Sequence, residues 1–186
     1  MRLSSTEFPK ILPPRLAMKN KPLAVFVGPP AAGKTQLAKK VAKRLKVPFT
    51  DTDIEIESDW GKISNMFHER GEAFFREKER SAVIKALSSP GVVSLGGGAV
   101  TEPSTLKDLR SHRVVYLTID AKTVEGRLMR GGRPLISGGI EDWKRLEAER
   151  RPLYLAVSKK IFDVSGANFS SLLVEISDWV REGLPK

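Results

Sequence analysis

The sequence predicts an α/β fold in which helices cover both faces of a parallel β-sheet. Short apolar runs, typical of buried strands, alternate along the chain with longer amphipathic segments, typical of helices. A glycine-rich loop joins the first apolar run to the first helix. Because parallel strands need crossover connections, strands separated by helices favour a parallel sheet. No repeat or change in composition divides residues 22–186, so we expect one domain there.

Five strands and the helices between them are predicted in chain order. Residues 23–27 are an uninterrupted apolar run, and the apolar side chains of 37–45 recur every four positions, as on one face of a helix. Residues 48–51 predict a shorter strand, and a helix over 63–87 is expected to break near Gly71. The remaining strands are predicted at 92–95, 114–117 and 161–164, with helices around 124–129, 143–157 and 172–180.

The composition of the 186-residue chain excludes several kinds of site. The absence of cysteine excludes disulfides, thiolate nucleophiles and cysteine-ligated metals. Only His68 and His112 are present, which excludes a histidine-rich metal site. A metal would therefore need oxygen ligands, which favours Mg²⁺. No apolar run approaches the roughly 20 residues that span a bilayer, so we expect no membrane association and a cytoplasmic protein.

The net charge of +10 indicates an anionic partner, which composition alone leaves open between nucleic acid, membrane headgroups and a phosphorylated small molecule. Residues 1–21 carry five basic residues and one acidic residue, and we expect them to form a poorly ordered basic extension. Aromatic residues are only 7% and are not interleaved with a basic stripe, and no nucleic-acid motif is present. Nucleic acid is therefore not the expected partner.

Residues 28–35 match the G-x-x-x-x-G-K-[ST] pattern of a nucleoside triphosphate-binding loop. The segment also has the required context, after a buried strand and before a helix. In such loops backbone N–H groups cradle the phosphates, the lysine (Lys34) reaches the β- and γ-phosphates, and the hydroxyl of Thr35 ligates Mg²⁺. The residues expected at the nucleotide are Gly28, Ala31, Ala32, Gly33, Lys34, Thr35 and Gln36.

Two acidic residues and three glycines follow the second and third predicted strands. Asp51 and Asp53 stand where parallel strands present ligand sites, facing the phosphate loop. One carboxylate could orient the water shell of Mg²⁺, and the other could accept a hydrogen bond or a proton from a substrate hydroxyl. Capping of the following helix explains the pair equally well. The glycines at 96–98 permit a close approach of backbone to ligand, and a tight turn would also use them.

Three arginines have distinctive surroundings. Arg76 follows two phenylalanines on a predicted helix, Arg133 lies in a glycine-flanked stretch, and Arg150 falls late in a helix before a proline. Arginine suits bidentate binding of carboxylate or phosphate. Each of them, taken alone, also fits a solvated surface charge.

Together these motifs resemble those of the shikimate kinase family. The matching segments, in family order and approximate spacing, are the phosphate loop, Asp51-Thr52-Asp53, Phe75-Arg76, Ser94-Leu-Gly96-Gly97-Gly98-Ala-Val100, Arg133-Pro-Leu and Arg150-x-Pro-Leu-Tyr154. The similarity extends from about residue 23 to residue 180. Very many proteins share the phosphate loop, whereas its combination with the triple glycine and the last two arginine motifs is far more specific.

The resemblance implies a P-loop NTPase fold of the nucleoside-monophosphate-kinase type: a three-layer sandwich with a five-stranded parallel sheet. It implies one kinase domain at 22–186, with a substrate-binding helical segment and a lid at approximately 130–141. The implied reaction moves the γ-phosphoryl group of ATP to the 3-hydroxyl of shikimate with Mg²⁺, in the pathway to chorismate. A monomer whose partners are shikimate and ATP is expected.

The family motifs also imply roles for individual residues. Asp53 would bind shikimate hydroxyls beside the attacking oxygen, and Arg76 and Arg150 would bind its carboxylate. The ring hydroxyls would contact Gly96, Gly97 and Gly98. On the nucleotide side, Asp51 would organise water on Mg²⁺. Lys34 and Arg133 would neutralise the transferred phosphoryl group, and Arg127 would stack near adenine.

Two departures from the family pattern affect the nucleotide side. Gln36 stands where the family more often has a small hydroxyl residue, and residues 163–168 lack the basic side chain that often contacts adenine. Two alternative functions remain open. One is a related small-molecule kinase, for example one acting on gluconate. The other is a nucleotide-binding regulator that has lost catalysis.

Overall fold

A computed structural model describes residues 21–131 and 139–183 of the chain. The α/β prediction is confirmed: within these residues the strands form one five-stranded, all-parallel sheet of order β2-β3-β1-β4-β5. The strands are β1 (Pro22–Val27), β2 (Phe49–Asp51), β3 (Gly91–Ser94), β4 (Val114–Thr118) and β5 (Lys160–Asp163). The helices are α1 (Lys34–Leu45), α2 (Thr52–Trp60), α3 (Ile63–Leu87), α4 (Pro103–Leu109), α5 (Ala121–Gly131), α6 (Gly139–Val157) and α7 (Phe169–Glu182).

The core lies on both faces of the sheet, as the continuous apolar strands predict. All six residues of β1 are buried. On one face, the strands pack against apolar side chains of α1 and α7, including Leu37, Val41 and Ile176. Side chains from the helices α3 and α6 cover the other face, including Val83 and Tyr154. At about 25 cal/mol per Å² of buried apolar area, these two layers supply most of the favourable free energy of folding.

Helix α3 contains the predicted break at Gly71, whose backbone (φ 80°, ψ 170°) leaves the helical region. A smaller cluster of Ile56, Met66 and Phe75 packs α2 against α3 on both sides of this kink. Because α2 follows β2 directly, this cluster holds the first part of α3 near the carboxyl end of β2.

Helix α4 and the 3₁₀ turn Ala99–Thr101 were not among the predicted elements. Helix α4 has only seven residues, too few for a periodic apolar face, but it begins with Pro103 at its first position and Glu102 as its cap. None of the helices in the described part of the chain combines the length and apolarity that a membrane span requires.

Candidate active site

The register of the sheet brings three loops to one edge. Ser94 in β3 is the register partner of Asp51 in β2 and of Phe26 in β1. The three strands therefore end at the same level. Asp53, the glycines at 96–98 and the phosphate loop follow directly, with the glycines in the middle because β3 lies between β1 and β2.

The phosphate loop has the backbone of an anion-binding turn. Gly33 adopts a left-handed conformation (φ 80°) just before α1 begins, and Ala31 is also left-handed at φ 66°. The Lys34 ammonium donates to the carbonyl of Pro29 at 3.0 Å, which folds the side chain back over the loop. The N-terminus of α1 and this lysine therefore face the same volume, as a triphosphate requires.

Two side chains from distant helices hold the loop from outside. The Arg127 guanidinium on α5 donates to the carbonyl of Ala31 at 2.5 Å. The buried Trp143 on α6 donates its indole N–H to the carbonyl of Pro30 at 3.0 Å. Pro29 and Pro30 have no N–H to offer a phosphate, but the carbonyls of this stretch serve as anchors for the loop.

Burial perturbs the charge of Lys34. Desolvation lowers the pKa of Lys34 to about 8, although the carboxylates of Asp53 and Asp51 act to raise it. A nearby phosphate would favour the ammonium form, so nucleotide binding and protonation of this lysine support each other.

Asp51 uses its two carboxylate oxygens for different partners. Its Oδ1 accepts from the backbone N–H groups of Asp53 at 3.0 Å and Ile54 at 3.3 Å, so the capping interpretation is correct for Asp51. The other oxygen accepts from the Thr35 hydroxyl at 2.7 Å. This contact ties the phosphate loop to the end of β2.

The pair formed by Thr35 and Asp51 fits a Mg²⁺ ion by its chemistry, since both donors are hard oxygens. Among the described residues, no group of three His, Cys, Asp or Glu side chains could hold a metal by itself. An ion here would therefore take most of its ligands from water and from the phosphates of a nucleotide, as Mg²⁺ usually does.

Beside the loop, a cleft of about 670 Å³ opens between α3, α6 and the triple glycine. Its charged residues are Asp53, Arg76, Glu79 and Arg150. The rest of the lining is Pro30, Ile63, Ser64, Phe67, Phe75, Gly96, Gly97, Gly98 and Leu146. A small polar molecule with an anionic group fits this combination of apolar walls and convergent charges.

Asp53 lies at the base of the cleft with a strongly perturbed carboxyl group. Burial raises the pKa of Asp53 to about 6, helped by the charge of Asp51 and opposed by that of Lys34. A Cβ atom on Gly96 would collide with the Asp53 carboxylate, so glycine is required for this approach. A carboxylate with a pKa near neutrality is suited to accept a proton from a substrate hydroxyl.

The glycine stretch is also anchored by a buried threonine. The N–H of Gly96 donates to the Thr52 hydroxyl at 3.0 Å. Thr52 is fully buried between Asp51 and Asp53, so one turn of chain at the start of α2 orients both acids and the glycines.

Arg76 is held in an ion-pair network and is not a solvated surface charge. Its guanidinium contacts Glu79 at 2.6 Å and Glu72 at 3.0 Å. Glu79 is only 3% exposed, and burial raises its pKa while Arg76 opposes that shift. The Glu79 and Glu72 hydrogen bonds raise the pKa of Arg76 despite the cost of its own desolvation. A Cβ atom on Gly98 would collide with the Arg76 guanidinium, which shows how closely this side chain follows the glycine backbone.

Arg150 supplies the uncompensated positive charge of the cleft. The half-buried side chain projects from α6, and within the described residues no carboxylate oxygen lies within 4.0 Å of it. Its charge acts on Lys34, Glu79 and the buried Tyr154. Because Glu79 neutralises Arg76, a bound carboxylate would find its net attraction mainly at Arg150.

A second hollow of about 120 Å³ lies on the other side of the phosphate loop. It is lined by Ala32, Gly33, Gln36, Leu37, Arg127, Val164, Ala167, Phe169 and Leu172. The stretch after β5 contributes apolar walls here, and Asn168 caps α7. An aromatic base would therefore meet apolar contacts beside Gln36 and Arg127.

Arg133 and most of the predicted lid lie outside the described residues. The ends of the predicted lid at 130–131 and 139–141 belong to α5 and α6. The structure thus brings together every candidate site residue except Arg133 on one edge of the sheet.

Sequence reasoning did not assign roles to Thr52, Glu79, Trp143 and Tyr154. Glu79 stands three residues after Arg76, and this i, i+3 spacing of opposite charges on a helix could have identified it. Thr52 and Trp143 bond partners 44 and 113 residues away, a separation at which local spacing carries no signal.

Comparison with known proteins gives the same family as the motifs. The family model described as shikimate kinase matches residues 30–181. The shikimate kinase of Thermobifida fusca is 45% identical, with 76% of this chain and 84% of that protein aligned. The shikimate kinase of Salinispora arenicola is 41% identical, with 84% of this chain and 96% of that protein aligned. A solved shikimate kinase from Acinetobacter baumannii in complex with shikimate superposes with a TM-score of 0.77 at 28% identity, covering 91% of this chain and 98% of the other.

These matches cover most of the chain and of each relative, and the match to the family model includes residues 30–35 of the phosphate loop, the triple glycine and the arginines of the cleft. The chain therefore belongs to the shikimate kinase family.

Proposed function

We propose that the chain transfers the γ-phosphoryl group of ATP to the 3-hydroxyl of shikimate, giving shikimate 3-phosphate and ADP. The observation that carries this proposal is the cleft beside the phosphate loop, where a carboxyl group of raised pKa faces two arginines. Membership of the family supports it, as does the fold shared with a relative solved in complex with shikimate.

In this proposal the chain acts mainly by positioning and by charge. Arg76 and Arg150 bind the carboxylate of shikimate, and Gly96, Gly97 and Gly98 contact the ring hydroxyls. Asp53 accepts the proton of the 3-hydroxyl. The oxygen of that hydroxyl forms a bond to the γ-phosphorus of ATP, while the bond between the γ-phosphorus and the bridging oxygen that stays on ADP breaks. Lys34 neutralises charge on the phosphates, so both reactants are held in a near-attack arrangement.

Thr35 and Asp51 are proposed to hold Mg²⁺ together with the triphosphate, Asp51 acting through water. The bound ion would supply neutralisation of phosphate charge. Gln36, Ala31, Ala32 and Arg127 are proposed to contact the nucleotide. The oxygen donors and the hollow beside Arg127 support these assignments. Arg133, in the proposed lid, is assigned to the transferred phosphoryl group by its family motif alone.

A cytoplasmic monomer that needs neither nucleic acid nor a membrane is the proposed working form. ATP as co-substrate and the lack of cysteine both suit the cytoplasm.

The test is ADP release by the purified chain with Mg²⁺ and ATP, comparing shikimate, gluconate and no acceptor. We expect release that depends on shikimate, with an equal amount of shikimate 3-phosphate formed. Release that follows gluconate instead would assign another small-molecule kinase activity. ATP binding without acceptor-dependent release would indicate a nucleotide-binding regulator.

A further inference from the structure

A buried tyrosine hydroxyl reaches the floor of the cleft from the side opposite the substrate. Tyr154 on α6 is fully buried, and its hydroxyl donates to the carbonyl of Gly97 at 2.6 Å. Gly97 is the middle glycine of the cleft, and no backbone hydrogen bond in the described part of the chain uses its carbonyl. The phenol therefore supplies the hydrogen bond that satisfies this carbonyl on the protein side.

The same hydroxyl lies beside Arg150. Residues 150 and 154 are one helical turn apart, so both side chains leave α6 on the same face. Desolvation raises the pKa of the Tyr154 phenol. The positive charge of Arg150 and a hydrogen bond with its side chain act in the opposite direction. With that pKa raised, the hydroxyl keeps its proton and remains a donor throughout the physiological range.

Gly97 faces the phosphate loop without being clamped by it. A Cβ atom placed on it would make ordinary van der Waals contacts, 3.4 Å from the carbonyl oxygen of Gly28 and 3.5 Å from Pro30 Cδ, so the loop leaves room beside Gly97 and does not by itself fix its position. Gly96 is fixed on one side by Thr52, and Gly98 is followed by the 3₁₀ turn. The Tyr154 bond connects the glycine stretch itself to α6, beside the packing of Ala99 and Val100 on the same helix.

We propose that Tyr154 is a positioning residue for the acceptor substrate. By donating to Gly97 beside Arg150, its hydroxyl sets the distance between the glycine backbone that contacts the ring hydroxyls and the guanidinium that contacts the carboxylate. This inference rests on the proposed function, because it assigns to Tyr154 the spacing between two contacts of a hydroxylated carboxylic acid.

The chain provides a matched control for the test. Tyr116 stacks on Tyr154 with ring centroids 5.1 Å apart and is equally buried, but its hydroxyl points to Glu147 at 3.5 Å. Glu147 is not among the residues that line the cleft. Tyr154→Phe and Tyr116→Phe thus remove the same atom from the same aromatic pair, and only the first affects the cleft.

The experiment measures KM for shikimate, KM for ATP, kcat and thermal unfolding for both variants and the unsubstituted chain. In Tyr154→Phe we expect KM for shikimate to rise about tenfold, the effect of one lost hydrogen bond, with KM for ATP within about twofold. Tyr116→Phe should keep both KM values. Replacing Tyr154 with 4-aminophenylalanine restores a donor at the same position and should return KM for shikimate towards that of the unsubstituted chain.

An unchanged KM for shikimate in folded Tyr154→Phe would overturn the inference, as would equal increases in both KM values. If Tyr154→Phe does not fold, the 4-aminophenylalanine variant decides: a near-normal KM for shikimate supports the donor role, and a raised one contradicts it. Failure of the proposed function is a separate result, since the unsubstituted chain would then show no shikimate-dependent ADP release in the same assay.

Discussion

The surroundings of Asp53 shift the pKa of its carboxyl group in opposite directions. Its carboxyl group is buried beside another acid, which disfavours charge, and it lies near Lys34, which favours charge. The result is a pKa of about 6, high enough for a proton acceptor yet low enough for ionisation at neutral pH. The structure thus gives this side chain a reactivity that an exposed aspartate does not have.

Asp53→Asn should strongly reduce turnover and at the same time stabilise the protein. Loss of the proton acceptor should reduce kcat by about 10²-fold or more, with ATP still bound. Since the folded-state pKa is raised from 3.8 to about 6, ionisation of Asp53 lowers stability as pH rises through this window. The neutral amide should therefore add on the order of 2 kcal/mol above about pH 7 and nothing below about pH 3.

Thermal unfolding at both pH values and steady-state kinetics check this prediction. Asp59→Asn, at an exposed position of the same helix, is the control and should change neither quantity. A substantial kcat in Asp53→Asn would exclude Asp53 as the proton acceptor.

The two perturbed groups also predict a pH dependence with two separate limbs. Protonation of Asp53 should reduce kcat/KM for shikimate below about pH 6. Deprotonation of Lys34 should reduce kcat/KM for ATP above about pH 8, because a neutral amine no longer attracts phosphate. The measurement is a pair of pH profiles from about pH 5 to 9, one for each substrate. Flat profiles in this range would contradict both pKa assignments.

Which residues could be predicted depended on how far apart their partners lie in sequence. The phosphate loop and the cap by Asp51 are local patterns, and both were readable from spacing. Arg127 was assigned to adenine from its family motif, but its contact with the carbonyl of Ala31, 96 residues away, was not predicted, nor was that of Trp143 with Pro30, 113 residues away. Contacts of this kind follow from the order of the strands, which residue spacing does not encode.

Among the elements, α6 connects the most parts of the site. Trp143, Arg150 and Tyr154 lie seven and four residues apart, which keeps them near one face of the helix. They contact the phosphate loop, the cleft and the glycine backbone in that order. A change in the position of α6 would therefore reach both substrates at once. Its sequence predicted a helix from 143, but the first turn at Gly139 has no apolar pattern to show it.

Trp143→Phe should weaken the nucleotide side of the site selectively. The substitution keeps an aromatic ring in the core but removes the hydrogen bond to Pro30 that anchors the phosphate loop. We expect KM for ATP to rise about three- to tenfold, as for one lost hydrogen bond, with KM for shikimate little changed. Trp179→Phe on α7 is the control, because its ring packs against Arg113 away from both substrates. An unchanged KM for ATP would mean that the loop holds its shape without this anchor.

At the scale of the whole molecule, the strand order determines the site. The pattern of apolar runs predicted five parallel strands, and the fold confirms them. It did not predict that β3 lies between β1 and β2, which inserts the glycines between the phosphate loop and Asp53. The net charge is also spread over the whole chain. Residues 1–21 hold +4 of the net +10, and much of the rest belongs to ordinary surface lysines and arginines. A few positive charges in a cleft, and not the total, are what an anionic substrate meets.

Thermal stabilisation by ligands tests, on the intact chain, whether the cleft charges or the net charge attract the anionic substrate. A ligand that binds only the folded state at 100 times its Kd adds about 2.7 kcal/mol, so ADP and shikimate should each raise Tm. Arg150→Ala should lose most of the shikimate shift, since a charge-assisted hydrogen bond contributes about 1.5–3 kcal/mol, and it should keep the ADP shift. Arg145→Ala, an exposed position on the same helix, removes the same charge from the molecule and should retain both shifts.

Equal losses in the two variants would mean that the overall charge attracts shikimate. A loss confined to Arg150→Ala would mean that the arrangement of the cleft does, because net charge is identical in the two proteins and only the position of the missing guanidinium differs.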